Sequence, residues 1–157
     1  ITALGTTLAG QPLDVLIHNA GVYGKRMSVK DVAAVNVHAP IKLVASLLAC
    51  VAASDQRKIV IMTSQMGARE GRSGSLGVYG DSKAALNDAF RSKEPGWKAA
   101  GVTAIVMHPG WVRTDMGGEH ASLSPRESAL GIKGVVESLT PDQHGQFLTW
   151  DGHEHPW

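Results

Sequence analysis

The sequence predicts an α/β fold, a parallel sheet with helices on its faces. Two observations predict it. Short apolar runs without polar alternation recur along the chain and close on small or turn-forming residues, as strands buried on both faces do. Between them lie stretches with helical spacing of apolar residues and helix-start signals. Buried strand, helix, buried strand is the order of a parallel sheet.

The opening "ITALGTTLAG" reads as the middle of a helix. "LDVLIHNAG", Leu13 to Gly21, is the first buried strand and ends in Asn and Gly. Ser28 and Asp31 resemble a capping box at the head of a helix whose apolar face includes Val44, Leu47, Leu48 and Val51. "KIVIMTS", Lys58 to Ser64, repeats the strand design. A second helix runs from about Tyr79 through Phe90, and Pro95-Gly96 is expected to end or bend it. "VTAIVMHPG", Val102 to Gly110, is the third strand. Ser124, Pro125 and Glu127 stand in the order of N-cap, first-turn proline and N3 acid before a last short strand, "GQFLTW". The chain shows no internal repeat and no low-complexity tract.

The 157 residues are 43% hydrophobic with a formal charge of +1, which suits one domain over residues 1–157 with a real core. Lys and Arg are scattered, with no basic stripe and no aromatics between them, which argues against nucleic acid. No apolar run approaches the length that spans a bilayer, and the N-terminus lacks the regions of a signal peptide, so no membrane is expected. The single Cys50 in an apolar helical stretch fits a reducing cytoplasm.

In open parallel sheets, ligands bind beyond the carboxyl ends of the strands. That directs attention to Asn19, Ser64 and His108 to Thr114. Near them Tyr79 and Lys83 stand four apart, on one helix face. Free tyrosine has a pKa near ~10, and a neighbouring positive charge lowers it, so Lys83 is expected to tune Tyr79 towards acid/base work. Alone, the pair equally fits an amphipathic helix start with a surface lysine.

Taken jointly, these residues resemble the short-chain dehydrogenase/reductase family. "HNAG" at His18 to Gly21 resembles its N-N-A-G strand end, and Asn36 in "VNVHAP" its helix asparagine. Ser64 resembles the catalytic serine, Tyr79-x-x-x-Lys83 the family signature, and "PGWVRT", Pro109 to Thr114, the nicotinamide loop. "HPGWVRTDMGG", Ser124-Pro125 and "WDGHEHPW" resemble the C-factor-like branch. The resemblance implies an incomplete Rossmann-like parallel sheet with helices on both faces, the C-terminal two-thirds of the family fold. The family's glycine-rich T-G-x-x-x-G-x-G loop and the strands before Leu13 have no counterpart here. The Gly21 to Asn36 interval is about ten residues shorter than usual. His18 replaces the first asparagine and reads as a strand-end residue paired to backbone.

The resemblance further implies hydride transfer between NAD or NADP and a small-molecule carbonyl or alcohol. Asn36, Ser64, Tyr79 and Lys83 form the implied catalytic set. Asn19, Ala20, Gly21, Tyr79, Lys83, Pro109, Gly110, Val112 and Thr114 form the implied cofactor site. Ser64 would stabilise charge on the carbonyl oxygen and Tyr79 would deliver the proton. Lys83 would hold the nicotinamide ribose. Pro40 has no N–H for the carbonyl of Asn36, which becomes free to bind a relay water. Trp111 and Met116 suggest a hydrophobic substrate, with "GAREGRSGSLG" as a mobile substrate-side loop. His153 and His155 lie on a solvated tail, and no metal is expected. Helices near Ser28 and Tyr79 imply a homodimer or homotetramer. The alternative is a truncated relative that acts as a binding or assembly partner. A third possibility is that residues at the start and near Gly24 are missing from the sequence itself.

Overall fold

The computed structural model describes residues 1–70 and 74–157. Four strands among them, β1 Val15–His18, β2 Lys58–Met62, β3 Thr103–His108 and β4 Phe147–Thr149, form one parallel sheet in sequence order. A short helix α1, Thr2–Thr7, precedes β1. The segment α2 Val29–Ala33, a π turn Ala34–His38 and α3 Ala39–Ala52 cross from β1 to β2. Helices α4, Gly77–Ala99, and α5, Pro125–Ser138, make the next two crossovers.

Residues Ile59 to Ile61 and Ala104 to Met107 have no exposed surface, as strands covered on both faces require. Alternate residues feed two cores. Ile59, Ile61, Ala104 and Val106 meet Val44, Leu47, Leu86 and Phe90, on α3 and α4. Val60, Met62, Ile105 and Met107 meet Val135 and Val136 on α5. Lys58, buried at the start of β2, donates to the carbonyls of Val136 (2.8 Å) and Glu137 (3.1 Å) in the last turn of α5. A lysine there satisfies carbonyls that lack a helical partner and suits the negative helix end.

Both predicted caps are present. Ser28 Oγ accepts from the Asp31 N–H at 3.1 Å, and Ser124 Oγ from the Glu127 N–H at 3.2 Å. The Glu127 carboxylate reaches back to the Ser124 N–H at 2.8 Å, which completes a capping box.

Three expectations are corrected. Of the expected end or bend at Pro95-Gly96, the end is corrected: helix α4 starts at Gly77 and runs through the pair to Ala99. Phe90 and Trp97, on either side of Pro95, are buried with ring centres 5.7 Å apart. His144 accepts the Ala104 N–H at Nδ1 (3.1 Å), so its Nε2–H faces the Glu94 carboxylate at 2.5 Å. Packing and this bridge outweigh the bond that Pro95 forfeits. Second, Val29–Ala52 is a 24-residue helical run containing an 18-residue stretch of mean hydropathy 1.6, long and apolar enough to cross a bilayer. Val32, Val44, Leu47 and Val51 in it are buried, as in a core crossover helix. Third, His155 is not on a solvated tail. The chain folds back on β4 through a Leu148 to Glu154 bridge, the His155 N–H donates to the Phe147 carbonyl at 2.7 Å, and the two rings lie 4.5 Å apart.

Candidate active site

Ser64 lies two residues beyond β2 and caps the 3-10 turn Gln65–Gly67, accepting the Met66 N–H at 3.1 Å. That turn packs directly on α4. A Cβ on Gly67 would meet the backbone carbon of Lys83 at 2.8 Å, and one on Gly80 would meet Leu76 Cβ at 2.5 Å and the Met66 carbonyl at 3.1 Å. Only glycine admits this approach, and the approach sets Ser64 beside Tyr79 and Lys83. Helix α4 is tied to the same strand end by its side chains. Lys83 Nζ donates to the Met62 carbonyl at 2.9 Å, Thr63 Oγ1 donates to Asn87 Oδ1 at 2.7 Å, and Asn87 Nδ2 donates to the Gly67 carbonyl at 3.3 Å.

Tyr79 is the third residue of α4 and Lys83 follows one turn later, its Nζ 5.9 Å from the Tyr79 ring centre. Burial raises the Tyr79 phenol above the ordinary tyrosine value; hydrogen bonding with Ser64 opposes this, and Tyr23 adds to it. The expectation that Lys83 lowers Tyr79 is thereby corrected. Lys83 is buried and directed at the Met62 carbonyl, and burial lowers its own pKa to about 8. A phenol that keeps its proton is suited to donate it. His18, buried at the end of β1, is lowered chiefly by burial, with the Lys83 charge adding to the effect.

Asn36 is wholly buried at the centre of the π turn. The Ala39 N–H donates to the Ala34 carbonyl, five residues back, so the helix widens just where Pro40 has no N–H to offer Asn36. The side chain has a second function that the sequence did not suggest. Its Oδ1 accepts the Val22 N–H and its Nδ2 donates to the Val22 carbonyl, both at 2.9 Å, and Nδ2 also donates to Ser82 Oγ at 2.9 Å. Ser82 Oγ in turn donates to the Tyr79 carbonyl at 2.7 Å. Asn36 thus joins the loop after β1 to the first turn of α4. Asn36→Ala strands the Val22 groups and is expected to cost about 1–3 kcal/mol, read as a lower urea midpoint with unchanged slope.

Asn19 and Ala20 are exposed beyond β1. Gly21 lies next to the site, since a Cβ on it would sit 3.5 Å from Asn36 Oδ1 and 3.6 Å from Lys83 Nζ. Pro109, Gly110, Val112 and Thr114 occupy a separate loop beyond β3. The Arg113 N–H donates to the Leu123 carbonyl at 2.8 Å and the Leu123 N–H to the Trp111 carbonyl at 3.0 Å, which leaves the Val112 N–H without an acceptor among the described residues. Thr114 Oγ1 accepts the Gly117 N–H at 3.2 Å, and Trp111 Nε1 donates to the Gly117 carbonyl at 2.8 Å. No hydrogen bond among the described residues joins this loop to Ser64, Tyr79 or Lys83. Residues 71–73, at the centre of the predicted substrate-side loop, lie outside the described residues.

Sequence reasoning passed over Tyr23 and Ser82. Tyr23 stacks on Tyr79 with ring centres 5.1 Å apart and planes 24° apart. A cleft of about 230 Å³ opens there, lined by Tyr23, Lys25, Met66, Leu76, Val78 and Tyr79 among others. Ser82 lies inside the Tyr79 to Lys83 motif, and its i−3 bond to the Tyr79 carbonyl was available from spacing. Tyr23 had no such local signal, because its partner is distant in the chain.

Residues 5–123 match the family described as short chain dehydrogenase. The C-signal of Myxococcus xanthus is 35% identical over 164 residues, covering 99% of this chain and 99% of its own. Among solved structures, the carbonyl reductase Sniffer of D. melanogaster superposes with a TM-score of 0.84 at 28% identity, over 99% of this chain and 71% of that one. An NADPH-bound carbonyl reductase from chicken fatty liver gives 0.83 at 28% identity, over 99% and 70%.

Proposed function

The chain belongs to the short-chain dehydrogenase/reductase family, and on that premise we propose that it transfers hydride between NAD or NADP and a small-molecule carbonyl or alcohol, with Ser64, Tyr79, Lys83 and Asn36 as its working set. The observation that carries this reading is the junction at the end of β2. There the half-buried Tyr79 phenol, its pKa raised, stands close to Ser64, one helix turn from a buried lysine. NADP or NADPH stands in the names of similar structures, which supports a nicotinamide cofactor.

The residues fit the nicotinamide-ribose end of such a cofactor. Among the described residues, Lys83 Nζ has one protein hydrogen bond, to the Met62 carbonyl, of the three it can donate. The Val112 N–H has no acceptor among the described residues. These donors suit ribose hydroxyls and a carboxamide respectively, with Asn19, Ala20, Gly21, Pro109, Gly110 and Thr114 as the surrounding contacts. Residues 1–157 contain no glycine-rich phosphate loop. When bound, the nicotinamide supplies or accepts the hydride. Ser64 holds the carbonyl oxygen by a hydrogen bond while Tyr79 gives its proton to that oxygen. In the direction of oxidation, Tyr79 takes the proton back. Asn36 holds the Val22 backbone and, through Ser82, the Tyr79 turn.

β1 is an edge strand of the sheet and Ile17 on it is 43% exposed, which supports self-association as a homodimer or homotetramer. A lone Cys50 without a disulfide partner supports a reducing, cytoplasmic setting. One observation favours a second reading, as a binding or assembly partner. The Myxococcus xanthus relative of matching extent is called a C-signal, not a dehydrogenase. Assaying NADPH and NADH oxidation against a panel of ketones and aldehydes separates the two. The reductase reading expects carbonyl-dependent oxidation of at least one cofactor; a full-length protein inert with every pair sides with the second.

A further inference from the structure

We propose that Tyr23 is a positioning residue for Tyr79, its stacked ring fixing the orientation of that phenol and covering one of its faces; the catalytic part rests on the reductase reading. The ring centres lie 5.1 Å apart with planes at 24°, within the range of favourable offset stacks. Tyr79 is only half-buried, so its surroundings depend on the neighbour that covers it. Lys25 Nζ stands 5.9 Å from the Tyr23 ring centre, so a cation in turn backs the ring that backs Tyr79.

A residue that is 43% exposed can position another only if its own backbone is fixed. Before Tyr23, both backbone groups of Val22 are bonded to the Asn36 side chain at 2.9 Å. After it, Gly24 has φ +84, and a Cβ there would lie 2.5 Å from Val32 Cγ2, so the turn is pressed onto α2 in a conformation that only glycine adopts without strain. The Gly24 carbonyl accepts the Met27 N–H at 3.1 Å, which closes the turn. The same Asn36 side chain donates to Ser82 Oγ at 2.9 Å, and Ser82 donates to the Tyr79 carbonyl at 2.7 Å. Both rings of the stack are thus attached through one buried amide, and their separation is set by the fold as well as by the rings.

A proton donor contributes only from the geometry in which its hydrogen points at the reacting oxygen. Without a stacked neighbour, a half-exposed phenol in the first turn of a helix can swing toward solvent. Tyr23 removes that freedom. It also bears on acidity: burial is the main cause of the raised Tyr79 value, and the Tyr23 phenol adds to it. Removing the Tyr23 ring lets water reach the phenolate, which favours the charged form and moves Tyr79 down toward the ordinary tyrosine value.

Residues 1–157 contain two tyrosines, so full-length protein labelled with carbon-13 at tyrosine Cζ shows the Tyr79 titration as the NMR resonance that Tyr79→Phe lacks. In Tyr23→Ala that resonance is expected to titrate at lower pH than in the parent. Its kcat for carbonyl reduction should fall about threefold to tenfold with KM within about twofold, the loss that a stack of this kind supplies. Tyr23→Phe keeps the ring, so kcat should stay within about twofold of the parent and Tyr79 should titrate between the other two. Thermal melts check folding, and a merely structural role would lower the melting point without moving the titration. A Tyr79 titration in Tyr23→Ala equal to the parent's, or a Tyr23→Phe variant as slow as Tyr23→Ala, would overturn the proposal. If no cofactor is oxidised, the reductase reading fails, and the titration alone decides whether Tyr23 governs Tyr79.

Discussion

Tyr79→Phe is expected to lower kcat/KM for carbonyl reduction by about 10²–10⁴-fold, the range that a positioned proton donor contributes. One oxygen is removed and little else changes. The ring that stacks on Tyr23 remains, and among the described residues no backbone group bonds to the phenol. Ser82 donates to the Tyr79 carbonyl, which a phenylalanine also has. The thermal midpoint should therefore stay within a few degrees while turnover collapses. Because burial raises the phenol, it keeps its proton throughout the neutral range, and reduction by the parent should fall only as pH climbs past that raised value. Rates within about threefold of the parent would remove Tyr79 from the mechanism and leave it as packing.

Lys83→Met is expected to separate activity from stability. Turnover should fall by about 10²-fold or more, because the ammonium that fits the ribose hydroxyls is lost. Stability should rise. Burial holds the Lys83 pKa at about 8, against an ordinary value near ~10.4, so the folded state disfavours the charged form. Below pH 8 the charge is present in both states and the penalty is full, about 3 kcal/mol by the conversion of pKa shift to free energy. Between about pH 8 and the ordinary value, the unfolded chain holds the proton that the folded chain has released, and the penalty fades. Losing the bond to the Met62 carbonyl takes back about 1 kcal/mol, which leaves a net gain of about 2 kcal/mol at pH 7. Urea denaturation at pH 7 and pH 10 checks the sign. The variant should exceed the parent at pH 7 and lose most of that margin at pH 10. A less stable variant at pH 7 would mean that Lys83 supports the fold more than burial penalises it.

Much of this arrangement was legible because it is written in local patterns. The uninterrupted apolar runs ending at His18, Ser64 and His108 are what two-sided burial selects, and the Ser28 and Ser124 caps depend on residues three apart. The closeness of Tyr79 and Lys83 follows from helix geometry alone. What the residues do to one another did not follow, because it depends on desolvation and on which acceptor a charge finds. Lys83 was expected to act on Tyr79, but the Met62 carbonyl lies within its reach and burial governs both groups. Pro95 was read by its lost hydrogen bond, while Phe90, Trp97 and His144 act through tertiary contacts invisible at that point in the sequence. Tyr23 was missed for the same reason. Its stack on Tyr79 forms only in the folded chain.

On the proposed reading, the Ser64, Tyr79 and Lys83 junction transfers a proton in step with a hydride. Isotope transfer tests it most directly. NADPH and NADH carrying deuterium at the transferable position are incubated with the full-length protein and a ketone, and the alcohol product is analysed by mass spectrometry for parent and Tyr79→Phe. One deuterium is expected on the former carbonyl carbon of each alcohol formed by the parent, and product at background level from Tyr79→Phe. Deuterated alcohol formed at equal rates by both proteins, or no deuterated alcohol from the parent with either cofactor, would contradict it.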